Sequence, residues 1–299
     1  MKIFLTGGSG FVGRHLATEL ASRGHGLACL VRAGDSSGAA FLRGLGASVT
    51  SGSVTDPASL EGAAEGADAV IHLVGIILER PGASFSQVHV EGTVNVLAEA
   101  KRAGAGRFIH MSAAGAAAVA VSRYLETKWT AEEEVRASGL SSTIFRPSII
   151  YGPRGEFIHM LIRQVRLLPV VPVIGDGRYR LQPVSIFDIA RIFADSLTNP
   201  KTINKTYAAG GPRSLSYNEM VDAIAAVIGK HRLKLHLPVS VMKPAAAVAE
   251  KIMPRPFVTR DQINMLLEGS TVDIEAMKAD FGIEPVEFKD GIRQLIESG

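Results

Sequence analysis

The 299-residue chain has one cysteine, Cys29, which excludes an internal disulfide and a cysteine-rich metal site. Cys29 lies in the apolar run Leu27 to Val31, so a buried structural thiol is expected. No apolar stretch reaches the roughly 18 residues that span a bilayer. Met1 to Leu5 enters strand-like sequence without the regions of a signal peptide. A cytoplasmic protein with no transmembrane segment is expected; Ala-rich segments leave peripheral membrane contact open. Neither sign of charge dominates: 32 basic against 29 acidic residues give a net +3. Aromatics are 6% and interleave with no basic stripe, which argues against a nucleic-acid partner. His-Glu-x-x-His, a Cys pair and a Walker lysine are absent, so no metal or P-loop site is expected. Ser9 is followed two residues later by Phe11 rather than glycine, which excludes a hydrolase nucleophile elbow.

What is present is a folded composition, 46% hydrophobic and 20% charged. Apolar runs at Lys2 to Thr6, Leu27 to Val31, Ala47 to Thr50, Ala69 to Val74, Arg107 to Met111 and Ser142 to Arg146 alternate with helix-like segments. Continuous Val, Ile and Leu imply strands buried on both faces, hence an α/β, doubly wound parallel sheet of the Rossmann kind. Helices are expected over Gly10 to Ser22, Phe85 to Ala103, Tyr124 to Ser138 and Ile186 to Leu197, with Asp56 capping another at Pro57. Tyr151 to Gly177 reads as loop, helix and loop, and Thr206 to Ala209 as a late strand. After Ser214 short helices are expected, broken at Pro238, Pro244, Pro254 and Pro256. The division expected is a Rossmann domain over 1–147 and 184–209, with a small substrate or lid domain over 148–183 and 210–299.

Gly7, Gly10 and Gly13 form a GxxGxxG loop between the first strand and first helix. Glycine lets backbone approach a pyrophosphate, and the helix N-terminus offers it free amides. Candidate cofactor contacts are therefore Gly7, Ser9, Gly10, Phe11, Val12, Gly13 and Arg14. Arg32, after the second strand, stands where a cation pairs with the 2′-phosphate of NADP. Asp35 keeps NAD open as the alternative. Tyr124 and Lys128, four residues apart on one helix face, suit proton transfer if the ammonium lowers the phenol pKa. Ser112 is a candidate polariser.

With these motifs the chain resembles the extended, atypical short-chain dehydrogenases/reductases of epimerase/dehydratase type. Arg146-Pro147-Ser148, Tyr151-Gly152-Pro153 and Pro183 to Ala190 carry the likeness further. Leu73-Val74-Gly75-Ile76-Ile77, Val88 to Thr93, His110 to Ala113 and Thr259 to Gln262 are similar to the nucleotide-binding accessory subunit of complex I and its bacterial relatives. The resemblance implies NAD(P) contacts at Ser53, Leu73, Val74, Gly75, Tyr124, Lys128, Pro147 and Ile149, and hydride chemistry through Tyr124 and Lys128. Three positions depart from it. Ala113 replaces a catalytic Ser or Thr, Ser53 an adenine-contacting Asp, and His89 a helix Asn.

Two functions follow as expectations: an NADP-dependent oxidoreductase or epimerase on an unknown carbonyl or sugar-type small molecule, or an NADP-binding structural or assembly protein with a protein partner. His72 and His110 are expected as satisfied core histidines, and Glu132 to Glu134 as a solvated face. Arg146, Tyr151, Arg178, Tyr179 and Arg180 are expected to line the cleft or to serve packing and solubility. Pro238 to Met253 reads as broken amphipathic helices packed on the lid, or docked to a membrane or partner.

Overall fold

The six apolar runs form β1 (Lys2–Thr6), β2 (Gly26–Val31), β3 (Ser48–Ser51), β4 (Ala69–His72), β5 (Arg107–Met111) and β6 (Ser142–Pro147). The structure, a computed structural model, describes residues 1–253 and 258–297. Pro254 and Pro256, expected as breaks, lie outside the described residues. Together with the strand Lys205–Ala209 they make one parallel seven-stranded sheet in the order Lys205–Ala209, β6, β5, β4, β1, β2, β3. Successive side chains of a strand point to opposite faces. Ile3, Leu5, Cys29, Ile71 and Ile109 accordingly pack on one side, and Phe4, Ala28, Leu30, Val70 and Phe108 on the other.

The helices are α1 (Phe11–Ser22), α2 (Ser36–Gly44), α3 (Pro57–Leu60), α4 (Gly92–Arg102), α5 (Arg123–Ala137), α6 (Glu156–Leu167), α7 (Ile186–Ser196), α8 (Tyr217–Ile228) and α9 (Val239–Ile252), followed by Arg260–Glu268, Glu275–Phe281 and Phe288–Glu297. Leu16 and Leu20 of α1 and Ile189 and Phe193 of α7 cover the first face. Val96 and Leu97 of α4 and Val135 of α5 cover the second. Residues beyond 148 build a separate cluster, including Ile158, Leu161, Val171, Val173, Val221, Ile224 and Ile292.

Four local expectations change. The second loop after Tyr151 contains a strand, Val170–Ile174, paired in parallel with Leu233–Leu237. Pro244 does not break α9: the helix runs through it, because the only carbonyl it deprives of a partner is that of exposed Ser240 in the first turn, which water can serve. Asp56 occupies the N-cap of α3 but its side chain makes no capping bond; Ser59 Oγ donates to the Asp56 carbonyl instead. Glu132 is not solvated. It is fully buried, accepting from Arg146 Nε at 2.8 Å and Arg146 Nη2 at 2.6 Å, with Arg136 also bonded to it. This fork fastens α5 to β6 and removes Arg146 from the list of free cleft cations.

Candidate functional site

Parallel strands align their carboxyl ends on one edge, and the crossover direction reverses between β1 and β4, which is where such sheets open a ligand crevice. Gly7 leaves β1 at φ +79°, and a Cβ on it would lie 3.2 Å from Leu73 C and Val74 N. Glycine thus lets the loop lie against the end of β4. Gly13 is tighter: a Cβ there would stand 2.0 Å from the Gly7 carbonyl oxygen and 2.6 Å from Gly8 Cα. Gly10 is the N-cap of α1 and supplies no side-chain bond to the helix amides. The first-turn amides of Phe11, Val12 and Gly13 have no intrahelical acceptor and face the crevice with the positive end of the helix dipole. Val12 is in the core, and the Phe11 ring tip would be 3.0 Å from a Cβ on Gly155.

The second strand settles which charges are free. Arg14 donates from Nε to the Ser9 carbonyl at 2.9 Å and lies 4.6 Å over the Phe41 ring. Asp35 caps α2, accepting from Gly38 N at 2.9 Å. The Ser9 hydroxyl, then the Gly38 amide, hold its carboxyl below the usual range. Arg32 is exposed and makes no side-chain bond among the described residues. Ser53 is occupied locally, its amide donating to Ser59 Oγ at 2.9 Å and its hydroxyl bonded to Thr55 Oγ1 at 2.9 Å. Leu73 is buried and Val74 half-buried beyond β4, while Pro147, the last residue of β6, is buried and Ile149 beyond it half-buried. Both groups lie at the carboxyl edge.

Ser122 caps α5 by accepting from Leu125 N, which sets Tyr124 in the first turn and Lys128 one turn on. Lys128 Nζ donates to the Met111 carbonyl at 2.6 Å, and burial lowers its pKa to about 8. The expectation that Lys128 lowers the Tyr124 pKa is corrected: burial pushes this phenol up to about 12. A neutral phenol is an acid, suited to giving a proton to a developing alkoxide. Its ring stands edge-on to Phe85 at 5.8 Å and to His89 at 5.4 Å.

His89 sits on a π-helical turn, Ser86–Glu91, that runs into α4. Its Nδ1 meets Thr127 Oγ1 at 2.9 Å, and its Nε2 lies 3.0 Å from Ile76 N. Burial lowers its pKa to about 3, so the ring is neutral and structural. A Cβ on exposed Gly75 would be 3.5 Å from His89 Nε2 and 3.7 Å from Lys128 Nζ. Gly75 therefore keeps a gap open above the lysine, a role that only the geometry reveals. His72 is satisfied by Thr6 at 2.7 Å and Thr93 at 3.1 Å. His110, stacked on it at 5.4 Å, is not: both ring nitrogens are buried without a partner. Ser112 Oγ is likewise buried and unpartnered. Unmet polar capacity at the end of β5, the gap at Gly75 and the open α1 terminus fit a dinucleotide laid across the β1–β4 crevice. Farther out, Arg180 is tied to Ser214, and the Tyr151 and Tyr179 hydroxyls are buried without partners.

A family model, NAD dependent epimerase/dehydratase family, matches residues 3–210. The NADH-ubiquinone oxidoreductase 40 kDa subunit, mitochondrial, of Neurospora crassa is 26% identical over 242 residues, 80% of this chain and 63% of that protein. The chain thus spans less than two-thirds of that relative's length. The 2-alkyl-3-oxoalkanoate reductase of Stenotrophomonas maltophilia is 27% identical across 99% of this chain and 98% of its own. The UDP-glucuronic acid 4-epimerase of Bacillus cereus, solved with UDP-glucuronic acid and NAD, shares the fold at a TM-score of 0.80 and 19% identity, covering 99% of this chain and 98% of its own.

Proposed function

The chain belongs to the NAD dependent epimerase/dehydratase family, and on that premise we propose that it is an NADP-dependent reductase of a small carbonyl compound. The observation that carries the coenzyme choice is the free, exposed Arg32 at the end of β2, beside an Asp35 already committed to capping α2. The 2′-phosphate of NADP is the partner that this cation lacks. The first-turn amides of α1 hold the pyrophosphate, and Lys128 orients the nicotinamide ribose. The bound coenzyme supplies the hydride. Tyr124 donates a proton to the substrate oxygen, and Ser112 Oγ supplies the hydrogen bond that Ala113 cannot.

Ala113 favours a second reading, in which the chain binds NADP to stabilise an assembly and turns nothing over. The likeness to a 40 kDa NADH-ubiquinone oxidoreductase subunit supports it.

Exchanging Arg32 for Asp tests the coenzyme choice. A lost charge-assisted contact of about 1.5–3 kcal/mol, with repulsion added, lowers NADP affinity at least about tenfold. NAD affinity is unchanged or improved. Calorimetric titration with both coenzymes measures this, and an equal loss for the two removes Arg32 from the site.

A further inference from the structure

The strands Val170–Ile174 and Leu233–Leu237 pair with Val170 opposite Leu233, Val171 opposite Lys234 and Leu235 opposite Pro172. Alternation divides the ribbon cleanly. Val171 and Val173 point into the core, and Lys234 reaches Asp222 of α8 at 2.5 Å. The other face carries Val170, Pro172, Leu233 and Leu235, and Leu233 is 73% and Leu235 55% exposed. An ordinary surface ribbon shows polar groups there.

α9, which follows at once, repeats the inversion. Among its exposed positions, Val241, Pro244, Ala245, Val248 and Ile252 follow the i, i+3, i+4, i+7 rule of one apolar helix face, flanked by exposed Ser240 and Lys251. Val241 is 61%, Val248 57% and Ile252 72% exposed. Nothing among the described residues covers either face.

The charge along this segment is mostly positive. From Gly229 to Met253 the basic residues are Lys230, Arg232, Lys234, Lys243 and Lys251, against the single acid Glu250. Glu250 is engaged by Arg260, and Asp222 by Lys234. Lys230 and Arg232 donate to the carbonyls of Arg166 and Val165, which holds them at the ribbon's edge. A second copy seated symmetrically on this surface would set these cations against themselves.

We propose that the outer faces of this ribbon and of α9 dock on an anionic lipid bilayer. The exposed leucines and valines enter the acyl boundary, and Lys230, Arg232 and Lys251 at their margins meet headgroup phosphates, while Lys243 lies on the opposite side of α9. No helix among the described residues is long and apolar enough to cross a membrane, so the contact is peripheral. It is independent of the dinucleotide crevice, and coenzyme binding does not enter its test.

The test is flotation of the full chain with phosphatidylcholine vesicles, with and without phosphatidylglycerol. Binding is expected only to the anionic vesicles and is reversed by high salt. Val241→Asp with Val248→Asp abolishes it, and Lys230→Gln with Lys251→Gln weakens it about tenfold or more. Lys230 and Lys251 are both exposed, and this pair decides the matter should the aspartates impair folding, as judged by thermal melting. Absence of flotation with anionic vesicles overturns the proposal. So does flotation indifferent to both pairs. Self-association in sedimentation equilibrium, abolished by the aspartates and without flotation, also overturns it and assigns the face to a second copy.

Discussion

Gly13→Ala abolishes measurable dinucleotide binding and lowers the melting temperature. The added methyl would stand 2.0 Å from the Gly7 oxygen, and both obstacles, Gly7 O and Gly8 Cα, are backbone atoms that no rotamer change can move. α1 must back away from the loop or the loop from β4. Overpacking of this kind costs about 1–3 kcal/mol in stability. The larger loss is functional, because the amides meant for a diphosphate then point past it. Forfeiting two charge-assisted bonds at about 1.5–3 kcal/mol each lowers affinity by at least about a hundredfold. Gly10→Ala is the control: its Cβ meets only Gly7 O, at 3.3 Å, so a far smaller effect is expected. Calorimetry and melting curves on the two variants make the comparison. Wild-type affinity in Gly13→Ala would disprove the packing argument.

Tyr124→Phe lowers carbonyl reduction by about 10²–10⁴-fold while leaving coenzyme affinity intact, the size of effect usual for a positioned proton donor. With its pKa raised to about 12 by burial, Tyr124 is protonated throughout the neutral range. Lys128, lowered to about 8, is charged below that pH and neutral above it. Reduction by the unaltered protein is therefore expected to hold through neutrality and to decline above about pH 8, as the charge proposed to orient the ribose is lost. Nicotinamide absorbance against a panel of ketones and aldehydes gives both readouts. Turnover indifferent to Tyr124→Phe removes the proton donor. No turnover by the unaltered protein, with coenzyme bound, favours the assembly reading that Ala113 suggests.

The sheet and its crevice were legible in the sequence because both depend on local pattern. Continuous apolar runs specify buried parallel strands, and glycine spacing after the first of them locates the α1 terminus. Long-range pairings were not legible. Glu132 is one of three consecutive glutamates, and only the packing of α5 on β6 brings Arg146 to it and buries it. Arg32 as partner of a 2′-phosphate and Asp35 as partner of a ribose were both open in the sequence, and only the structure shows Asp35 engaged in the cap on α2. The Tyr124–Lys128 spacing gave their shared face, but not that burial raises the phenol pKa, nor that Lys128 turns to the Met111 carbonyl. Tyr151 to Gly177 read as ending in a loop, since the alternation that makes Val170–Ile174 a strand emerges only against Leu233–Leu237. His110 defied its expected role, because whether a buried imidazole finds partners depends on neighbouring elements.

The account rests on the α1 amides and Arg32 together holding a phosphorylated dinucleotide. Isothermal titration of the unaltered protein with NADP and with NAD, at equal ionic strength, probes this most directly. Saturable one-to-one binding with NADP the tighter ligand is the predicted result. No heat with either coenzyme, and no rise in melting temperature with either, would contradict it.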